Sequence, residues 1–236
     1  MRPSFFFFLS FSLISFTLAA PTSATNFATK DTGFSADLSI DVAGILSAAQ
    51  AATADSLASF PHNSDAPEDV EIFGDWANLP GVSAFHFFAD MDVDCDGSVG
   101  CSGDGSEQSE TSFGHLDASK VPFFVLPADF VAEHGDIIHP NAVGAIICGG
   151  KMVYGIFGDA NGATPQVIGE GSLLLAQTCF PNDGLNGNNG HEPLDVLYIV
   201  FGTAVAPGVK DETIDIDGLK AVGDEQVGLL QAALQL

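Results

Sequence analysis

The apolar positions of this chain fall mostly into short, dense runs broken by Gly, Pro and Asn, and only two segments keep a helical rhythm. Residues 72–88 contain Trp76 and several Phe and end in the run Ala84-Phe85-His86-Phe87-Phe88. Residues 123–126 (Phe-Phe-Val-Leu) stand between Pro122 and Pro127, and a short turn or helix follows to Val131. Residues 143–148 are strongly apolar, Gly149-Gly150 reads as a hairpin turn, and 151–157 is its partner strand. A further short strand is expected at 166–168, a helical turn at 172–177, an Asn/Gly-rich loop at 181–193 and a buried strand at 196–201. Helical spacing marks Leu38, Val42, Ile45, Leu46 and Ala49, predicting a helix within 36–59 that Phe60-Pro61 ends. It returns from Asp215 to Leu236, with a break at Gly223. Many short strands and few helices predict a mainly β protein, a barrel or a sandwich.

The chain has 236 residues, room for one full-sized domain with its own core. Its start reads as a secretory signal: Arg2 is the positive end, 5–18 the apolar stretch, and Thr17-Leu18-Ala19, Leu18-Ala19-Ala20 or Thr22-Ser23-Ala24 the cleavage sites. The apolar stretch is short and interrupted by Ser, so a retained membrane anchor is the weaker reading. A secreted, extracellular, soluble protein is expected. It carries 31 acidic against 6 basic residues, a field that repels nucleic acid and anionic membranes and attracts polycations. Solubility alone also accounts for such a charge. The four cysteines suggest two disulfides, for which three pairings exist. The preferred pairing joins Cys95 to Cys101 around a small Gly-rich loop and Cys148 to Cys179 across 148–179. The Cys and His spacings do not suit zinc, and no Gly-rich phosphate or dinucleotide pattern is present, so neither metal nor cofactor is expected.

Candidate chemistry concentrates in acids. Asp159 and Glu170 sit in YGIFGDANGATPQVIGEGSLLLA, on strand-like segments separated by the Asn161-Gly162 turn. Taken locally, Asp159 is an ordinary turn residue and Glu170 a residue near a helix N-terminus. Asp90, Asp92, Asp94 and Asp96 alternate in DMDVDCDG, which places them on one face of an extended strand. Asp92-x-Asp94-x-Asp96-Gly97 resembles the start of a calcium loop, but its twelfth position is Gly103 where a bidentate Glu is wanted. Something positive should balance these acids: substrate ammonium groups, a cation, or solvent around an acidic loop held by Cys95. Trp76, Phe85 and Tyr154 are candidates for stacking on sugar rings, while His115 and His191 read as loop or packing residues.

Several ordered blocks resemble the fungal chitosanases of glycoside hydrolase family 75: DMDVDCDG at 90–97, TSFG at 111–114, LDASKVPFFVLP at 116–127, AIICGGKMVYGIFGD at 145–159, IGEGS at 168–172 and NGNNGHEPLDVLYIVF at 186–201. The resemblance runs from about residue 75 to 201. It implies a catalytic domain, placed at 68–204, after a 1–19 signal and a 20–67 lead-in with helix, and before a 205–236 helical tail. It implies cleavage of β-1,4 glucosamine polymers (chitosan) within the chain, with inversion, by Asp159 and Glu170. Inversion needs an acid and a base about 6.5–9.5 Å apart with water between them. Glu170 is assigned as acid, because burial near Val167 and Ile168 raises its pKa, and Asp159 as base; the reverse assignment stays open. Asp90, Asp92, Asp94, Tyr154 and Asn161 are expected to contact the substrate. A six-stranded barrel akin to double-psi barrels and a monomeric state are expected. The rivals are a non-catalytic expansin-like polysaccharide-binding protein and a calcium-dependent adhesion protein.

Overall fold

The computed structural model describes residues 1, 33–66, 68–98, 101, 110–210 and 212–236. Residues 31–236 form one compact unit. The signal-sequence reading, residues 20–32 of the lead-in and the twelfth position of the supposed calcium loop lie outside the described residues.

The order of elements is α1 (Val42–Ala51), β1 (Ser56–Pro61), β2 (Asp69–Phe73), β3 (Phe85–Asp94), β4 (Phe123–Pro127), α2 (Ala128–Glu133), β5 (Ala142–Cys148), β6 (Lys151–Asn161), β7 (Glu170–Ser172), α3 (Leu173–Cys179), β8 (His191–Val205) and α4 (Ile216–Leu234). Hydrogen bonds run β3–β7–β4–β6–β5–β8, and β8 pairs back with β3, which closes a six-stranded barrel. Two neighbouring pairs, β3 with β7 and β4 with β6, are parallel; the others in the ring are antiparallel. Closure leaves the barrel without edges of its own, and the β1–β2 hairpin is appended to β3 through Phe73 and His86. The mainly β barrel read from the sequence is thus the observed fold.

The strands were legible as apolar runs because both of their faces are covered. All seven residues of β5 and all five of β4 are buried, so neither shows the alternation of a half-exposed strand. Outside, α4 packs Leu219, Gly223, Val227 and Leu230 inward over β5, β6 and β8. Asp215 caps it, accepting from the Gly218 amide at 3.0 Å. Gly149 and Gly150, at φ 54° and 77°, make the tight turn between β5 and β6 that only glycines adopt without strain.

Three local expectations change. Residues 56–61 continue no helix: α1 ends at Ala51, and Ser56–Pro61 pairs antiparallel with Asp69–Phe73, because a tertiary strand partner outweighs the helix propensity of the preceding Ala-rich stretch. Residues 166–168 form no strand; the ladder starts at Glu170. The C-terminal helix does not break at Gly223. A Cβ there would lie 2.5 Å from the Tyr154 ring, so the missing side chain lets the helix lie against the barrel.

Candidate active site

Register places the acids. On β3 and β7, Asp92 stands beside Glu170 and Asp94 beside Ser172. Phe124 of β4 pairs antiparallel with Gly171, which sets Val125 opposite Glu170. Val125 in turn pairs with Asp159 of β6, after a register shift that skips Gly158. Asp92, Glu170, Val125 and Asp159 therefore form one row across four adjacent strands on a common face of the barrel wall. Asp159 and Glu170 are not the two arms of a hairpin around Asn161-Gly162, as their closeness in sequence suggests. A whole strand, β4, runs between them. At about 4.8 Å per strand, their backbones stand about 10 Å apart.

Glu170 lines a groove of about 400 Å³ with Asp92, Val93, residues 186–190 of the Asn/Gly loop and Glu192. Its Oε2 accepts from Asn161 Nδ2 at 2.8 Å, so Asn161 orients this carboxyl, the role its position allows most directly. Burial first, then the negative charges of Asp92, Asp159 and Asp90, push Glu170 up to about 7 against the pull of Asn161. A carboxyl of that kind holds a proton in mildly acidic water.

Asp159 is not part of that groove's wall and is almost fully buried. Its Oδ1 accepts from the amides of Ser112 at 2.8 Å and Ala160 at 2.7 Å. Ser112 belongs to the Thr111–Gly114 turn, closed by amide bonds in both directions between its ends, and this turn fixes Asp159 from outside the barrel sheet. Asp94, Asp96 and Asp159 each bring a carboxylate oxygen within 4.8 Å of the other two. An ammonium group or a metal ion could bridge such a set. Burial and the charges of Asp96, Asp159 and Glu170 drive Asp94 well above the ordinary carboxylate range, while the Asp96 amide, donating at 2.7 Å, opposes this. Burial and Glu192 likewise raise Asp92.

Two expected substrate contacts are corrected. Asp90 is 2% exposed, its Oδ2 lies 2.9 Å from His62 Nδ1, and it does not line the groove that holds Glu170. Tyr154 is fully buried beneath α4 and donates its hydroxyl to Asp224 at 2.8 Å, so no ring face is open to a sugar. Trp76 and Phe85 are core residues, Trp76 stacking on His86 at 4.2 Å. His191 stacks on Phe180 and pairs with Asp195, and His115 pairs with Glu110 on the surface. The disulfides join Cys95 to Cys101, just past β3, and Cys148 to Cys179, tying β5 to α3. Glu192, Ser112 and His62 had drawn no attention in the sequence. Nothing local marks the first two, and His62 lies outside every block of the family resemblance.

Fold and site together define a closed β-barrel protein with a row of acids across its wall, of which Asp92 and Glu170 line a groove. Residues 91–227 match the family described as fungal chitosanase of glycosyl hydrolase group 75, and the chain belongs to that family. It is 47% identical over 210 residues to an endo-chitosanase C of Aspergillus oryzae, covering 86% of this chain and 55% of that protein. It is 37% identical over 199 residues to an endo-chitosanase of Aspergillus fumigatus, covering 72% of this chain and 82% of that protein. The chain thus spans about half the length of the Aspergillus oryzae relative.

Proposed function

We propose that this chain is a secreted endo-chitosanase that hydrolyses the β-1,4 links of chitosan with inversion, using Glu170 as general acid and Asp159 as general base. The observation that carries the reading is the row across β3, β7, β4 and β6, which sets these two acids one intervening strand apart. Two strand spacings, about 10 Å between backbones, suit the 6.5–9.5 Å carboxyl separation of inverting enzymes better than the roughly 5 Å of retaining ones. Glu170, pushed up to about 7, keeps its proton at the mildly acidic pH where chitosan is charged and soluble. It protonates the leaving oxygen, while Asp159, held by two amides, takes a proton from the attacking water.

The substrate's ammonium groups supply the positive charge that the row lacks. Among the described residues, His62 is the only basic side chain paired with Asp90, Asp92, Asp94, Asp159 or Glu170. The names of the Aspergillus relatives point to the same polymer. Secretion follows from the N-terminal signal pattern, and no helix among the described residues is long and apolar enough to cross a membrane.

The test is cleavage of chitosan followed by NMR of the freshly released reducing ends. Asp159→Asn and Glu170→Gln should each lower kcat by about 10²–10⁴, and the first product should be the α-anomer. Retention of configuration would shift the partnership to Asp92 and Glu170, which sit on adjacent strands at about 5 Å backbone spacing. Binding of chitosan with no new reducing ends would favour the expansin-like rival.

A further inference from the structure

Asp90, two residues before Asp92 on β3, sits where the register with β8 shifts, and its carboxyl is buried rather than lining the groove. Oδ2 meets His62 Nδ1 at 2.9 Å, and Oδ1 is buried with no hydrogen-bond partner among the described residues. A core position filled for packing alone would not carry such an oxygen, because a buried acceptor without a donor is less stable than an apolar group of similar shape.

We propose that His62 and Asp90 form a positioning pair for Glu170, holding the peptide in front of it from behind and placing a titrating acid at its back. The proposal rests on the reading of Glu170 as proton donor. Gly169, the residue before Glu170, has φ +108°, and a Cβ there would lie 2.2 Å from Asp90 Oδ1 and 3.0 Å from Ala89 Cβ. The backbone entering Glu170 therefore lies directly on the Asp90 carboxyl, and only glycine fits. The short stretch leading into Glu170 is pinned at both ends. The Asp92 amide donates to Gly169 O at 2.8 Å, and the Ile168 amide donates to Pro61 O at 3.1 Å. Pro61 immediately precedes His62, so the end of β1, the middle of β3 and the approach to β7 meet around residues 168–169, beside the His62–Asp90 bond. Behind it, the Tyr198 hydroxyl donates to Asp90 O at 3.0 Å and fixes the β3 backbone. Neither His62 nor Asp90 touches the groove; both act through Gly169.

The charge state of the pair also reaches Glu170. Burial lifts Asp90 to about 7 against the pull of His62, and Asp92 adds to the rise. The charged groups facing Glu170 and Asp90 are Asp92 and Asp94 of β3, Asp159 of β6 and His62 at the end of β1, with Glu192 of β8 facing Asp92. Negative charge on Asp90 makes ionisation of Glu170 harder and so extends the pH range in which the donor is loaded.

The experiment measures kcat and KM on defined chitosan oligomers from acidic to neutral pH. It compares the whole chain with His62→Ala, His62→Asn, Asp90→Asn and, as control, Glu170→Gln. His62→Ala should lower kcat roughly 10- to 100-fold with little change in KM, as expected when a donor is misplaced rather than a subsite lost. His62→Asn, which keeps an N–H near the place of Nδ1, should restore most of that loss. Asp90→Asn should move the alkaline limb of kcat/KM to lower pH, because a negative neighbour of Glu170 is gone. Wild-type kcat in folded His62→Ala, or a loss that only tracks its folded fraction, overturns the proposal. If His62→Ala does not fold, an unmoved alkaline limb in Asp90→Asn overturns it. Near-normal turnover in Glu170→Gln would remove the donor reading itself, whereas a dead Glu170→Gln beside normal His62 and Asp90 variants would remove only the pair.

Discussion

Strand β6 carries two polar side chains that end in opposite circumstances, Tyr154 and Asp159. Tyr154 lies under α4, where the acid it meets, Asp224, is fully served: it accepts from the Tyr154 hydroxyl at 2.8 Å, from the Asp37 amide at 3.0 Å and from Lys220 Nζ. Asp159 lies in the row with Asp92 and Glu170, beside Asp94 and Asp96, where acids face acids. With six Lys and Arg in the whole chain, cationic partners are scarce. Lys220 pairs with Asp224, and Lys120 with Asp117 and Glu212, all away from the row. The helix-covered side of the barrel is finished by the chain itself. The groove side is left electrostatically incomplete, as a site is when its counter-charge arrives with the ligand.

This contrast is broken most sharply by exchanging effects on activity and stability between the two sides. Glu170→Gln should cost about 10²–10⁴ in kcat and leave the thermal midpoint unchanged or higher, since a buried acid crowded by acids is replaced by a neutral acceptor that still suits Asn161. Asp224→Asn should do the reverse, lowering stability and sparing kcat. Parallel thermal melts and initial rates decide it; a stability loss in Glu170→Gln matching that of Asp224→Asn would mean the row is as well compensated as the α4 side.

The next effect is on the pH dependence of stability. Glu170 rises from an ordinary value near 4.5 to about 7, and Asp90 from near 3.8 to about 7. Between those limits the folded chain holds protons that the unfolded chain releases, so their contribution is complete in acid and is lost as pH rises toward neutrality. For Glu170 this amounts to about 3 kcal/mol. His86 works the other way. It is fully buried against Trp76, and burial pulls its pKa below 6.5, so its contribution is present above that value and is lost as pH falls. Denaturant midpoints measured against pH should fall from mildly acidic to neutral conditions, and more steeply in the wild type than in Glu170→Gln. Equal slopes would show that Glu170 is not perturbed by folding.

The sequence was informative where burial is two-sided and poor where pairing is distant. Strands β4, β5 and β6 were readable because continuous apolar runs between Gly and Pro have few other uses, and the barrel follows from their number. Strand β7 was not, because three residues, Glu170–Ser172, are too few to show a period and their partners lie on β3 and β4. That gap hid the real spacing of Asp159 and Glu170: the eye joins them across Asn161-Gly162, whereas register inserts Val125 between them. Tyr154 misled for a related reason. In a strand buried on both faces, side-chain type does not tell groove from core, and only Gly223 of a distant helix reveals what covers the ring.

A smaller test concerns that covering. Gly223→Ala puts a methyl group where the Tyr154 ring lies 2.5 Å away. The side chain cannot be accommodated without lifting α4 or turning the ring, so a loss of about 1–3 kcal/mol is expected. Exposed helical Gly→Ala changes normally gain stability instead. Gly228, where a new Cβ would meet nothing, is the control on the same helix. If both substitutions stabilise, α4 is not seated on Tyr154 in the way described.

The least change should come from Tyr154→Phe, and it separates the two sides most directly. The ring stays, so the packing under Gly223 is kept; only the hydroxyl that donates to Asp224 goes. Asp224 retains the Asp37 amide and Lys220, so it is not stranded. The loss is then at the low end of the range for a hydrogen bond to a charged group, about 1.5 kcal/mol, because Asp224 keeps two other donors. Had Tyr154 lined a sugar subsite, the same change would leave stability alone and raise KM for chitosan oligomers. An unchanged KM with a slightly lower melting temperature places Tyr154 with the scaffold, and a raised KM at unchanged stability would return it to the groove.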